Sequence, residues 1–135
     1  SREKASNEAQ SAGITFLEEN ASKSGVQTTA SGLQYKIIEE GSGASPLETS
    51  TVTIHYTGGL VDGTVFDSSV ESGEPIVYPV NGFIQGWVEG LQLMKAGGKM
   101  ELYVPSNLGY GAQGAGGAVP PNAVLIFVME LISFE

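Results

Sequence analysis

The segment NGFIQGWVEGLQLMK, residues 81–95, is predicted to be one short amphipathic helix in a chain otherwise rich in strands and turns. Asn81 is the predicted N-cap, and Gly97-Gly98 supplies the stop. The apolar side chains that recur at helical spacing are Phe83, Ile84, Trp87, Val88, Leu91 and Met94. A lone helix with one apolar face needs a sheet to cover it. Trp87, the only tryptophan, is therefore either a plain core residue between helix and sheet or the floor of an apolar pocket.

Composition limits the classes of protein that this chain can belong to. Its 135 residues, 41% of them hydrophobic, suffice for one domain with a core plus an appendage. A net charge of −9 with six basic residues argues against nucleic acid as a partner and against an anionic membrane surface. The absence of cysteine excludes disulfides and thiolate metal sites, and no apolar run approaches the roughly 18 residues of a membrane span.

The first 24 residues are polar and rich in Ala and Glu, a pattern that predicts a mostly solvated helix. Gly13 weakens this helix by about 1 kcal/mol relative to alanine. The segment is either a frayed, exposed helix or an interaction arm whose Phe16 and Leu17 dock on a neighbour or on missing sequence. Because the helical pattern is already running at Ser1, the chain is expected to be a trimmed piece of a longer protein. Residues 25–32 have the composition of a linker.

The remainder of the chain alternates between strands and turns. Strands are predicted at residues 33–40, 51–57, 76–80, 99–104 and 123–134, with a long loop at 105–122. Gly58-Gly59 and Asp62-Gly63 are turn signals, and Pro79 marks an edge strand. The continuous apolar run 123–134 indicates a central strand. Several antiparallel strands and one helix predict an α+β fold, with a twisted sheet wrapped on Trp87.

Three motifs that suggest chemistry do not have the context that their chemistry needs. Residues 109–114 spell G-x-G-x-x-G, but no helix follows to receive a pyrophosphate. His55 is the sole histidine, so it is expected to form a structural hydrogen bond rather than a metal site. Asp62 belongs to a turn, which leaves only Asp67 as a carboxylate in an apolar context. With no nucleophile and no metal, the pattern favours a binding pocket for something apolar.

Four segments together resemble the FKBP-type peptidyl-prolyl cis–trans isomerases. They are HYTGGLVDGTVFDSS (55–69), IQGWVEGLQLM (84–94), YGAQGAGGAVPPNAVLIFVMEL (110–131) and the terminal strand. The resemblance covers about residues 33–135, and ITFLEENASKSGVQTTASGLQYKII (14–38) is similar to the arm-bearing bacterial members of the macrophage-infectivity-potentiator and FkpA type. It implies a curved antiparallel sheet of five to six strands around one short helix, preceded by an N-terminal helix. Residues 1–24 would end a helical arm, and 25–135 would form the isomerase domain.

The resemblance also implies a set of site residues. Those in catalytic positions are Tyr56, Asp67, Tyr110 and Phe127, and those in substrate-binding positions are Phe66, Ile76, Phe83, Ile84, Trp87 and Val119. Asp67 matches a buried carboxylate, Ile84 a backbone N–H that holds a ligand carbonyl, Trp87 the indole floor and Tyr110 a hydroxyl donor at the rim. Ser72 stands where members commonly have an arginine that faces the pocket aspartate, and Ala115 and Ala118 should flatten the rim.

The implied activity is rotation about Xaa–Pro bonds without a cofactor or metal. Proline-containing peptides, unfolded proteins and macrolides of the FK506 and rapamycin type are the expected partners, and nucleic acid and membranes are not. In the arm-bearing relatives an upstream domain forms a homodimer, so the full-length protein is expected to be dimeric and this piece monomeric. A cytoplasmic location is expected, with the periplasm as the alternative. The rival interpretation is a peptide-binding or chaperone module with little isomerase activity.

Overall fold

The computed structural model describes residues 2–135. The helices are α1 (Arg2–Ala21), α2 (Ser69–Ser72) and α3 (Gln85–Leu91), and the strands are β1 (Val26–Thr28), β2 (Gln34–Glu39), β3 (Thr51–Leu60), β4 (Val65–Ser68), β5 (Ile76–Pro79), β6 (Lys99–Val104) and β7 (Leu125–Phe134). Short 3₁₀ turns lie at Val80–Gly82, Ser106–Leu108 and Gly111–Gln113. None of the helices among the described residues is long and apolar enough to span a bilayer.

The strands form one antiparallel sheet in the order β1-β2-β6-β7-β3-β4. β5 also pairs with β3, along its first half from Thr51 to Ile54, whereas β4 pairs with the second half from Thr57 to Gly59. β7 lies between β6 and β3, as its long apolar run predicted. The predicted α+β architecture, with an N-terminal helix and a sheet around one short helix, is therefore confirmed.

The core lies between α3 and the concave face of the sheet. Val52, Ile54 and Tyr56 on β3 alternate inward, as the sequence pattern predicted, and meet Trp87 and Leu91 of α3. The inward residues of the next two strands, all of them buried, are Met100, Leu102, Val104, Leu125, Phe127, Met129 and Leu131. His55 points the other way, and its Nδ1 lies 2.9 Å from the Ser69 hydroxyl, which confirms its predicted structural role.

The helix around Trp87 is shorter than predicted. It begins at Gln85 rather than after Asn81, because Phe83 and Ile84 are extended, with ψ angles of 176° and 155°. Asn81 belongs to the preceding 3₁₀ turn and does not cap the helix, so the N-cap prediction is wrong. The helix ends at Leu91, ahead of the predicted glycine stop. Asparagine is a preferred N-cap residue, but this preference does not distinguish the start of an α-helix from a 3₁₀ turn just before it.

Two glycine-containing segments also differ from their predictions. Gly58 and Gly59 lie inside β3, opposite Phe127 and Ile126 of β7, and do not form a turn. The turn occurs at Asp62-Gly63, where Gly63 has a φ of 93° and the Leu60 N–H donates to the Thr64 carbonyl at 2.8 Å. Residues 26–28 of the predicted linker pair with β2 as the short strand β1. Local composition does not show which backbone groups a neighbouring edge strand will bind.

α1 lies against the sheet domain. Gly13 is buried against Val124, and the Phe16 ring lies 5.9 Å from the Tyr103 ring. Two buried amides complete the contact, since Asn20 Nδ2 donates to Gln34 Oε1 at 2.9 Å. Most of the remaining helix surface is exposed. The sequence left open whether α1 is a frayed, exposed helix or an interaction arm. In the structure α1 docks through Phe16, and the surface that it contacts belongs to its own domain.

Candidate active site

A cavity of about 290 Å³ opens above Trp87 between α3 and the sheet. β3 and β7 supply its inner wall, β4 and β5 one side, α3 with the preceding turn the floor, and the loop after β6 the rim. Its lining residues are Tyr56, Phe66, Asp67, Ile76, Gly82, Phe83, Ile84, Trp87, Tyr110 and Phe127. The structure thus brings together every predicted site residue except Val119, which lies in the buried core at the base of the loop.

Aromatic contacts hold the floor and walls of this cavity. The Trp87 ring packs against Tyr56 at 4.9 Å and Phe127 at 5.0 Å, both nearly perpendicular, and against Phe83 at 4.7 Å. Edge-to-face contacts of this kind are worth about 0.5–1.5 kcal/mol beyond area burial. Trp87 is only 5% exposed, and rings of three other residues pack against the indole that forms the floor.

Two glycines shape the walls, and the sequence prediction assigned neither to the site. A Cβ built on Gly58 would lie 2.7 Å from Phe127 and 2.9 Å from Phe66, so only glycine lets these two rings approach each other. Gly82 lines the cavity itself, and a Cβ there would lie 2.3 Å from the Tyr78 ring. Both positions show close approach of backbone to an aromatic face, for which glycine is required. Sequence spacing alone carries no signal for such cross-strand contacts.

The main polar contact in the cavity joins Tyr56 to Asp67. The Tyr56 hydroxyl donates to Asp67 Oδ2 at 2.5 Å. Burial, followed by this bond and the charge of Asp67, raises the pKa of Tyr56 well above its ordinary range. The expected burial of Asp67 is corrected, because the residue as a whole is exposed at the edge of the pocket. One side of its carboxylate is nevertheless occupied by a neutral phenol.

Two further polar groups lie around the opening. Ile84 is the N-cap of α3, and its backbone N–H makes no hydrogen bond within residues 2–135. Tyr110, 39% exposed, lies at the opposite rim in the loop after β6. A ligand in the cavity would therefore meet one backbone donor and one phenol hydroxyl. These are the two donors that the sequence resemblance implied.

The indole N–H of Trp87 is a buried donor with no acceptor among the described residues. Leaving such a group unpaired costs about 1–3 kcal/mol, so proteins seldom do so without a compensating gain. Here the indole brings an apolar ring face to the floor of the cavity. Contacts with the rings of Tyr56, Phe83 and Phe127 hold the indole in place.

The predicted departures from the family pattern lie around the cavity, outside its lining. Ser72 is exposed on α2, and its hydroxyl donates to the Ser69 carbonyl at 2.9 Å. Asp67 has Tyr56 as its hydrogen-bond partner instead. Ala115 forms an isolated bridge with Val119, while Ala118 is exposed, so the loop is pinned by backbone contacts rather than by large side chains.

A second groove, of about 260 Å³, lies between α1 and the sheet domain. Its lining comprises Ala5, Glu8, Ala9, Ala12, Leu60, Val61, Asp62, Pro120, Ala123 and Val124. It has small aliphatic walls and two exposed carboxylates, and it contains no aromatic floor. The aromatic cavity above Trp87 is therefore the stronger candidate, because it combines apolar walls with convergent polar groups.

Comparison with known proteins agrees with this geometry. Residues 43–132 match the FKBP-type peptidyl-prolyl cis-trans isomerase family, and residues 1–37 match the domain amino terminal to FKBP-type peptidyl-prolyl isomerase. The chain is 55% identical over 120 residues to the FKBP-type 22 kDa peptidyl-prolyl cis-trans isomerase of Escherichia coli, covering 89% of this chain and 58% of that protein. It is 50% identical to the peptidyl-prolyl cis-trans isomerase Mip of Coxiella burnetii, covering 89% of this chain and 52% of that protein.

Solved structures show the same fold. The crystal structure of FkpA from Escherichia coli matches with a TM-score of 0.95 at 39% identity, over 99% of this chain and 62% of that one. A peptidyl-prolyl cis-trans isomerase from Pseudomonas syringae matches with a TM-score of 0.88 at 35% identity, over 96% of each chain. The chain spans about half the length of the curated relatives that it matches. From its sequence match and its fold, this chain belongs to the family of FKBP-type peptidyl-prolyl cis-trans isomerases.

Proposed function

We propose that this chain is a peptidyl-prolyl cis–trans isomerase that accelerates rotation about Xaa–Pro bonds in peptides and folding proteins. The observation that carries this proposal is the aromatic cavity above Trp87, with the Ile84 N–H, which has no partner among residues 2–135, at its edge. Membership of the family supports it. The proposed substrate is a proline ring that enters the cavity and lies on the indole face.

Rotation about a prolyl amide needs no nucleophile, because no covalent bond is made or broken. The barrier of about 18–20 kcal/mol comes from the double-bond character of the C–N bond. In the twisted transition state this resonance is lost, so the carbonyl is less polar and the nitrogen becomes pyramidal. A water-poor, apolar cavity therefore favours the twisted state over the planar ground state, which is catalysis by differential binding.

In the proposed mechanism, the polar groups hold the substrate backbone on either side of the rotating bond. The Ile84 N–H donates to one substrate carbonyl and the Tyr110 hydroxyl to another, while Tyr56, Phe66 and Phe127 surround the proline ring. Asp67 fixes the Tyr56 hydroxyl and faces the cavity edge. Each tenfold acceleration requires the activation free energy to fall by only about 1.4 kcal/mol. Ring burial and two hydrogen bonds are therefore large enough to account for catalysis.

A chromogenic Xaa–Pro peptide assay tests this proposal. The chain should accelerate exchange, and Phe127→Ala should lower kcat/KM at least about tenfold, since it removes a ring that contacts Trp87 and Phe66. Val128→Ala is the matched control, because Val128 lies on the same strand and is exposed. A folded chain that binds the peptide without accelerating exchange would instead be a peptide-binding module, and the isomerase proposal would be wrong.

We also propose that macrolides of the FK506 and rapamycin type bind in the same cavity. Trp87 is the only tryptophan, so its fluorescence reports occupancy of the cavity floor without labelling. Titration with FK506 should change this emission to a saturating value and inhibit peptide isomerisation in parallel. No spectral change and no inhibition at high concentration would reject this ligand.

A further inference from the structure

We infer that Asn122 is a positioning residue that couples α1 to Tyr110 at the rim of the cavity. This inference rests on the proposed function, and it adds a route by which the N-terminal helix influences the site. It is drawn from two hydrogen bonds of Asn122 that join segments far apart in the sequence.

The first bond closes the base of the rim loop. Asn122 has a φ of 63°, and it is the only residue other than glycine with a positive φ in the described part of the chain. Asparagine tolerates this left-handed conformation better than most residues do. In it, the Asn122 N–H donates to the Gly111 carbonyl at 2.9 Å, and Gly111 directly follows Tyr110. The position of the Tyr110 backbone thus depends on the base of its own loop.

The second bond ties that base to the N-terminal helix. Asn122 Nδ2 donates to the Ser6 hydroxyl of α1 at 2.6 Å. The same side chain cannot hold this contact if the loop base moves away from α1. The Tyr110 carbonyl also accepts from the Gly114 N–H at 3.2 Å, but this bond stays within the rim loop, and the Tyr110 side chain is 39% exposed. The link from Ser6 through Asn122 to Gly111 is therefore a short path from the helix to the rim.

α1 can serve as a fixed support for this link because it is held at two further points. Gly13 packs so closely on Val124 that an added Cβ would lie 2.6 Å from Val124 Cγ2. Gln34, itself buried, accepts from Asn20 at 2.9 Å and donates to the Leu17 carbonyl at 3.0 Å. A helix fixed at its middle and its end presents Ser6 at a defined position above the loop.

Five variants, one of them a double variant, test the coupling in the peptide isomerisation assay. Ser6→Ala removes the acceptor, and Asn122→Gly removes the amide while keeping a residue suited to the left-handed backbone. Each should lower kcat/KM about two- to tenfold, the effect of one net hydrogen bond, and the double variant should lose no more than either single one. Asn122→Asp should restore much of the loss, because a carboxylate can accept from the Ser6 hydroxyl. Ser11→Ala, an exposed position on the same helix, is the control and should match the wild type.

A second background shows whether the effect passes through Tyr110. In Tyr110→Phe, which lacks the rim hydroxyl, Ser6→Ala should have no further effect on kcat/KM. An equal loss in both backgrounds would overturn the inference, as would wild-type kcat/KM for Ser6→Ala. Such a result leaves the proposed function standing if the wild-type chain accelerates exchange.

NMR of tyrosine ring signals tests the coupling independently of activity. The Tyr110 signal, assigned by its loss in Tyr110→Phe, should shift in Ser6→Ala and stay in place in Ser11→Ala. An unmoved Tyr110 signal in Ser6→Ala overturns the inference. If the wild-type chain is inactive but the signal shifts, the proposed function fails and the coupling stands.

Discussion

Tyr56 and Asp67 show how one residue pair serves both the fold and the site. Tyr56 is an inward residue of β3 and packs on Trp87, while its hydroxyl reaches Asp67 on β4. The bond ties the cavity wall to an edge strand that pairs with β3 over only a few residues. Asp67 thus accepts a hydrogen bond from a phenol at the cavity edge, and within the described part of the chain it forms no ion pair.

The raised pKa of Tyr56 predicts its behaviour in alkali. Burial and Asp67 keep the phenol neutral in the folded state above the ordinary value of about 10. The unfolded chain releases this proton first, so the stabilisation is complete below pH 10 and is lost as the pH rises further. Phenolate absorbance should show that Tyr56→Phe matches the wild type up to pH 10 and differs only above it. A difference that appears below pH 9 would contradict the buried, hydrogen-bonded phenol.

Substitution of Gly58 is predicted to disturb the cavity walls locally. Gly58→Ala places a Cβ within 3 Å of both Phe127 and Phe66, so the rings must separate. Overpacking of this kind typically costs about 1–3 kcal/mol, and isomerase activity should fall with it. Gly117→Ala is the matched control, since a Cβ there meets nothing within 4 Å. Thermal unfolding and the peptide assay check both, and wild-type behaviour of Gly58→Ala would refute the close ring contact.

At the scale of elements, the docking of α1 is the feature that sequence patterns describe least well. Glycine within a helix costs about 1 kcal/mol relative to alanine, and by that measure Gly13 is a defect. The structure explains why this residue is glycine, because the helix approaches Val124 too closely at this position for a Cβ. The Phe16 ring lies beside Tyr103, and burial, followed by the charge of Glu101, raises the pKa of Tyr103 to about 12.

Gly13→Ala sets helix propensity against packing. The substitution should favour α1 by about 1 kcal/mol, but the clash with Val124 Cγ2 should exceed this gain, so the free energy of unfolding should fall. In a Val124→Ala background the clash is relieved, and the same substitution should be stabilising. Denaturant unfolding of the wild type, the two single variants and the double variant measures the sign of the change in the free energy of unfolding in each background. A stabilising Gly13→Ala in the wild-type background would mean that α1 does not dock as described.

The sequence pattern predicts the elements that depend on periodicity. It does not predict features that depend on contacts between residues distant in the sequence. The alternation of Val52, Ile54 and Tyr56 and the apolar run of β7 were predicted correctly because burial on a sheet imposes a period. The start of α3 was misplaced at Asn81, because a 3₁₀ turn precedes the helix. The sequence pattern predicts a turn at Gly58, whereas glycine is required there by close contacts with rings on β7 and β4.

The candidate site followed mostly from the resemblance, and the structure adds the contacts that spacing cannot show. Gly82 lines the cavity, and the Tyr78 ring of the preceding strand β5 packs so closely on it that a Cβ there would clash. Val119 was predicted to be a substrate-binding residue, but its backbone bonds to Ala115 turn it into the core. In both cases loop conformation, rather than residue type, decides which side chain meets the cavity.

For the molecule as a whole, we predict a monomer. The net charge of −9 opposes self-association, and the docked face of α1 is satisfied by its own domain. Sedimentation equilibrium at micromolar concentration should give the mass of one chain, with Ser11→Ala as a neutral surface control. A concentration-dependent mass near that of two chains would contradict this prediction and would point to α1 as an interface.

We propose that an apolar cavity over one indole eases rotation about a prolyl amide. Exchange NMR of a short Xaa–Pro peptide with a small amount of the chain tests it directly, because it observes cis–trans interconversion at equilibrium. We expect exchange peaks between cis and trans signals, on a timescale far shorter than the uncatalysed 10–100 s, and their loss with Phe127→Ala but not with Val128→Ala. Exchange that is no faster with the folded wild-type chain than without it would contradict the claim.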